Sequence, residues 1–234
     1  MSGAGNGKLK VLRFNPVSDR APYFQEYTYD FEEHITVLDA LKRVARDSDP
    51  TLSFSWACRS GHCGLCGLTV DGTPCLSCRT MAKPEMTLTP LNGYTVLRDL
   101  IIDRRSFEEG RKKLRLFLER ERLPEDPLET VDMRMFETFR TASRCVECLV
   151  CMAACPVLGK NPYLFAGPAA LILEARHMFD SRDTQKRGLI AMGAGLSLCI
   201  RCGRCSAVCP QQADPAGAIV SMQEAVKDGG PEKP

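Results

Sequence analysis

Two copies of one cysteine pattern constrain this chain more than anything else in it. Cys145, Cys148, Cys151 and Cys155, followed by Pro156, read C-x2-C-x2-C-x3-C-P; Cys199, Cys202, Cys205 and Cys209, followed by Pro210, repeat it. Such a run wraps its first three thiolates around one iron–sulfur cube. The chain then leaves, redirected by the proline, and the fourth cysteine reaches the cube of the other run. Cys155 is therefore expected beside the second run and Cys209 beside the first. Zinc sites or disulfides account poorly for two such copies.

A third group lies upstream. Cys58, Cys63 and Cys66 have the spacing C-x4-C-x2-C with further cysteines downstream, which is the plant-type [2Fe–2S] arrangement. The loop has to fold tightly and aim backbone N–H groups at the sulfurs, and Gly61, Gly64 and Gly67 supply the unusual dihedrals this needs. Structural zinc prefers paired C-x2-C units, so the four-residue gap argues against it. Cys75 and Cys78 both qualify as fourth ligand, and spacing alone does not choose; the other would be a spare, small and apolar in character.

Thirteen cysteines in 234 residues also invite a disulfide framework, but those belong to small secreted domains. The opening MSGAGNGKLK has no apolar stretch of the kind a secretion signal carries, so reduced thiols in a cytoplasmic compartment are expected. With 31 Lys+Arg against 29 Asp+Glu, no basic excess points to nucleic acid. No stretch approaches the ~20 apolar residues of a membrane span, so any membrane attachment is expected through other subunits.

Along the chain, Lys8 to Phe14 and Phe24 to Phe31 alternate as strands. Val37 to Ala45 has helical spacing, with Thr36 as its cap and Val37, Leu38, Leu41 and Val44 inward. Leu52 to Trp56, Gly67 to Val70 and Met86 to Leu91 read as strands, with a hairpin turn at Asp71-Gly72. Val96 to Arg122 is charged and periodic until Pro124 and Pro127 interrupt it, and beyond that Gly167 to Phe179 and Pro215 to Lys227 read as helices. The expected class is α+β. A plant-type [2Fe–2S] β-grasp domain over residues 1–105 precedes an all-helical, bacterial-ferredoxin-like domain over 106–234 with two cubane sites.

Other candidates are weaker. Arg201 and Arg204 stand between ligands and Lys160 follows the first run, where positive charge would favour a reduced cluster, although such side chains are more often solvated. His62 sits inside the [2Fe–2S] loop but is superfluous beside four thiols, and His34 and His177 read as structural. No dinucleotide fingerprint, phosphate loop or activated nucleophile is present, so no catalytic residue is expected beyond electron transfer.

Taken together, CRSGHCGLC at Cys58 to Cys66, RCVECLVCMAACP at Arg144 to Pro156, NPYLFAGPAAL at Asn161 to Leu171, DSRD at Asp180 to Asp183 and CSAVCP at Cys205 to Pro210 resemble the iron–sulfur subunit of succinate dehydrogenase and fumarate reductase. The resemblance implies a relay from FAD in a flavoprotein subunit, through three clusters, to quinone at membrane-anchor subunits with or without haem. Fumarate reductase runs the path in reverse. It implies a peripheral position on the cytoplasmic face of the cell membrane. It also implies Cys58, Cys63, Cys66 and Cys78 on the [2Fe–2S] centre, leaving Cys75 spare, and Cys145, Cys148, Cys151 and Cys209 on the [4Fe–4S] centre. Cys155, Cys199 and Cys205 fall to the third centre.

Two departures from the family pattern stand out. Many members have only three cysteines at the third centre and hold [3Fe–4S] there, whereas Cys202 offers a fourth thiolate, which favours [4Fe–4S]. Lys160 and Ile200 stand where many succinate dehydrogenases have Trp and His, so quinone contacts do not carry over. Related cubane motifs also serve other flavin-linked dehydrogenases, heterodisulfide reductase-like complexes and free-standing ferredoxins.

Overall fold

The computed structural model describes residues 5–120, 131–161 and 163–229. Two compact units emerge, one of Met1–Arg104 with Val146–Ala154, the other of Arg105–Cys145 with Cys155–Pro234.

In the first unit, β1 (Gly5–Arg13) and β2 (Tyr23–Phe31) pair antiparallel, as their alternation requires. The sheet continues through β5 (Glu85–Thr89), parallel to β1, then β3 (Gly67–Val70) and β4 (Thr73–Leu76), in the order β2-β1-β5-β3-β4. Gly7 is needed in β1 because a Cβ there would lie 2.6 Å from the ring of Tyr29. α1 (Val37–Asp47) is started by a capping box in which the Thr36 hydroxyl accepts from Asp39 N–H and the Asp39 carboxylate accepts from Thr36 N–H. Its face of Val37, Ala40, Leu41 and Val44 buries against Leu9, Val11, Leu68 and Leu88 of the sheet. Each Val or Leu of this interface contributes roughly 1.5–3 kcal/mol on burial.

Two expectations fail in this unit. Leu52 to Trp56 forms no strand: Ser53 N–H donates to the Asp99 carboxylate and its carbonyl accepts from Leu100, contacts with one loop instead of a ladder. The periodic stretch from Val96 begins as a small hairpin, β6 (Val96–Arg98) with β7 (Ile101–Ile102), and among its described residues only α2 (Arg105–Lys113), in the second unit, is helical. Asp99 explains both. Its buried carboxylate receives the Phe14 and Ser53 N–H groups and pairs with buried Arg13 at 3.0 Å, which pins a turn in the middle of the stretch. Pro124 and Pro127 lie outside the described residues.

The second unit is helical. α3 (Met133–Ala142), α5 (Pro168–Met178), α6 (Arg187–Gly193) and α8 (Pro215–Lys227) surround an apolar core that includes Leu171, Ile172, Met178, Leu196, Ile219 and Met222. Proline opens both α5 and α8, at the position where its missing N–H costs nothing. Two short turns, α4 (Val150–Ala153) in the first unit and α7 (Arg204–Ala207) in the second, carry cysteines of the repeated runs. Among the described residues no helix is long and apolar enough to cross a membrane.

One buried polar group ties the second unit together. The Arg187 guanidinium donates to the Asp183 carboxylate at 2.7 Å, lies 3.4 Å from Glu174, and donates to the carbonyls of Leu114, Arg115 and Phe117. Breaking a buried pair of this kind leaves a charge without compensation.

Candidate iron–sulfur centres

All thirteen thiols are unbridged. In the first unit the loop from Cys58 to Cys66 precedes β3, and its conformation is set by backbone geometry. Gly61 and Gly64 adopt φ of 85° and 69°, in the left-handed region. Gly67 does not; it begins β3, and a Cβ there would sit 3.0 Å from the Cys148 carbonyl and from the Leu91 side chain. Gly64 is under the tighter constraint, since a Cβ would approach the Val146 carbonyl to 2.3 Å. Two of the three glycines therefore serve close packing against the segment 146–148, which the spacing alone did not suggest.

The loop aims three N–H groups, from Ser60, His62 and Cys63, at the Cys58 sulfur at 3.3–3.4 Å. These hydrogen bonds, that of Ser60 foremost, pull the Cys58 thiol down to about 5, so it is a thiolate at neutral pH. His62 contributes its backbone and leaves its side chain exposed. Cys66 and Cys78 are buried with sulfurs 3.2 Å apart. Burial, then Cys66, pushes Cys78 up to about 12. The buried Cys78 thiol resists ionising beside Cys66, and a metal centre bound there would supply the positive charge its thiolate needs. Cys75 lies on β4, half-buried and shifted upward by burial, with the Thr80 side chain as its hydrogen-bond partner.

Cys148 and Cys151 are buried in this unit, and Arg104 braces their segment by donating to the Glu147 carbonyl at 2.6 Å and to the Gly64 carbonyl at 3.4 Å. The sequence reading missed Arg104. Its only signal is a cation just before the charged helix.

In the second unit Cys145, Cys155, Cys199 and Cys209 line the apolar core, and Cys205 is buried on α7. Cys205 is pushed up to about 11 by burial, and also by the nearby thiols Cys199, Cys155 and Cys202. The fold thus gathers these four cysteines, one of them 44 residues or more before the others in sequence. Cys202 is exposed at the rim of the group. Cys209 accepts a hydrogen bond from Ala213 N–H at 3.4 Å. Arg201 is held at the surface by Gln223, Arg204 and Lys160 are exposed, and His177 is buried beside Asp183. The cysteine sets, their buried sulfurs and the inward N–H groups fit clusters bound through thiolates.

Comparison with known proteins agrees. Residues 8–109 match the family described as 2Fe-2S iron-sulfur cluster binding domain, and residues 141–213 the family described as 4Fe-4S dicluster domain. The chain is 36% identical over 222 residues to the fumarate reductase iron-sulfur subunit of Mycobacterium tuberculosis, spanning 90% of this chain and 89% of that one. Over 238 residues it is 33% identical to a mitochondrial succinate dehydrogenase [ubiquinone] iron-sulfur subunit of Oryza sativa, covering 96% of this chain and 76% of the relative. A chain of the Mycobacterium smegmatis Sdh1 complex in the apo form superposes with a TM-score of 0.88 at 26% identity, covering 97% of this chain and 98% of that one. The chain belongs to the family of iron–sulfur subunits of succinate dehydrogenase and fumarate reductase.

Proposed function

We propose that this chain is the electron relay of a succinate:quinone oxidoreductase. It would take electrons from the FAD of a flavoprotein subunit and deliver them toward quinone at membrane-anchor subunits. The bound clusters would supply one-electron storage at successive points. We assign Cys58, Cys63, Cys66 and Cys78 to [2Fe–2S], with Cys75 spare, and Cys145, Cys148, Cys151 and Cys209 to [4Fe–4S]. The third cluster falls to Cys155, Cys199, Cys202 and Cys205. The two domains are residues 1–105 and 106–234, and the subunit sits peripherally on the cytoplasmic face of the cell membrane.

The observation that carries this reading is the gathering of Cys155 with Cys199, Cys202 and Cys205, since the crossing-over of the fourth cysteine is what a two-cube protein requires. Exposed apolar side chains at Trp56, Leu65 and Met81, around the [2Fe–2S] loop, suit docking of the flavoprotein. Tyr163, Leu164, Leu189, Met192 and Ile200 are exposed on the helical unit, where anchors would cover them. Fumarate reduction, the same path reversed, is the second reading, favoured by the names of the bacterial relatives.

The chain purified without its flavoprotein should not oxidise succinate, and adding the flavoprotein should restore electron flow to an artificial acceptor. Turnover by the flavin-free chain alone would refute the relay. The ligand sets are tested by iron and sulfide counts: Cys78→Ser should lose the [2Fe–2S] centre and Cys75→Ser keep it. For the third centre we favour [4Fe–4S]. Anaerobically purified, oxidised protein should lack a three-iron paramagnetic signal, and Cys202→Ala should acquire one.

A further inference from the structure

Tyr94 has a buried hydroxyl with no hydrogen-bond partner among the described residues. A buried phenol almost always finds an acceptor, because an O–H removed from water and left unpaired forfeits the hydrogen bonds it made in solvent. Its position suggests where the acceptor comes from. Leu91 and the Cys148 carbonyl both crowd the same point at Gly67, so the strand end that leads to Tyr94 runs beside Cys148. The phenol is buried near Cys151, Arg104 and Cys148, and like any phenol at neutral pH it carries its proton and is able to donate. Arg104 is already committed to the Glu147 and Gly64 carbonyls and offers no acceptor in any case.

We propose that the Tyr94 O–H donates to a sulfur of the [4Fe–4S] centre at Cys148 and Cys151, making Tyr94 a positioning residue that sets the potential of that centre. The inference rests on the ligand reading given above. A hydrogen bond to cluster sulfur strengthens as the cluster takes an electron and its negative charge grows, so it stabilises the reduced form and raises the potential. None of the thiol ligands performs this role, and Phe in place of Tyr keeps the packing while removing the donor.

The test is a redox titration of the assembled complex followed by paramagnetic resonance, comparing wild type with Tyr94→Phe. The expected result is a downward shift in the midpoint of the [4Fe–4S] centre, with unchanged iron content and unchanged midpoints of the other two centres. An unchanged midpoint at full iron loading, or an equal shift of all three centres, overturns the proposal. Should Tyr94→Phe fail to load, complex grown with ring-deuterated tyrosine decides: a deuteron coupling to the reduced [4Fe–4S] centre supports the contact and its absence refutes it. Cys148→Ser separates the underlying reading. A full [4Fe–4S] centre in that variant overturns the ligand set, whereas loss of the centre together with an unshifted Tyr94→Phe overturns the hydrogen bond alone.

Discussion

The two units solve the same problem, holding thiolates in fixed positions, by opposite means. Around Cys58 the work is local: three N–H groups within five residues meet one sulfur, and two glycines permit the turn. In the helical unit Cys155 joins Cys199, Cys202 and Cys205 from 44 residues or more away in sequence, and nothing local brings Cys155 to Cys199. Their arrangement is inherited from a core and from a buried ionic group. A local site is readable from spacing and fails through its own loop, while an inherited site fails when the scaffold around it loosens.

The largest effect expected from this contrast is at Arg187. Arg187→Met removes the Arg187 cation from buried Asp183 and Glu174 and frees the carbonyls of Leu114, Arg115 and Phe117, a loss of about 3–5 kcal/mol. Chemical denaturation should register it, with the cubane signals lost and the [2Fe–2S] signal retained; loss of all centres together would erase the distinction between the units.

Next in size is a pH effect of the same group. Burial, then Arg187 and Arg176, holds His177 down to about 4 against an ordinary value of 6.5, and its side chain is only 11% exposed. The unfolded chain binds the proton more readily, so the contribution is complete above pH 6.5 and is lost as pH falls toward 4, amounting to about 3 kcal/mol. Melting curves from pH 7.5 to 4 should fall less steeply in His177→Gln. Parallel curves for the two proteins would show that His177 does not titrate as described.

Smaller still is the change at the loop. Gly64→Ala puts a side chain at φ 69° and 2.3 Å from the Val146 carbonyl, a strain of roughly 1–3 kcal/mol, and should reduce [2Fe–2S] loading. Gly72→Ala, at φ 81° but facing open space, should cost less and leave loading intact. Equal losses would mean that dihedral strain alone, without the close approach, governs the loop.

Legibility in the sequence followed the same division. The alternation of β1 and β2, the Thr36 cap and the span Pro215–Lys227 were all readable, because each is decided within a few residues. Asp99 was not: its partners Arg13, Phe14 and Ser53 are 86, 85 and 46 residues away, and only the fold makes it the organiser of a turn within a stretch that reads as charged and periodic. Tyr94 and Arg104 escaped for a related reason, since nothing in their neighbourhood on the chain announces the cysteines that they approach through space. The cysteine motifs were plain. Their supporting cast was not.

Arg187 also bears on how a chain like this can drift. It grips residues 114, 115 and 117 through main-chain oxygens, which every amino acid carries, while the Phe117 side chain points into solvent and is 53% exposed. The gripped segment can therefore change its letters with little consequence, provided that its length and path stay the same. The gripping residue cannot. Sequence variability across such a stretch would look like indifference while recording the opposite, a fixed backbone written in replaceable side chains, and an insertion there should be tolerated far less than a substitution.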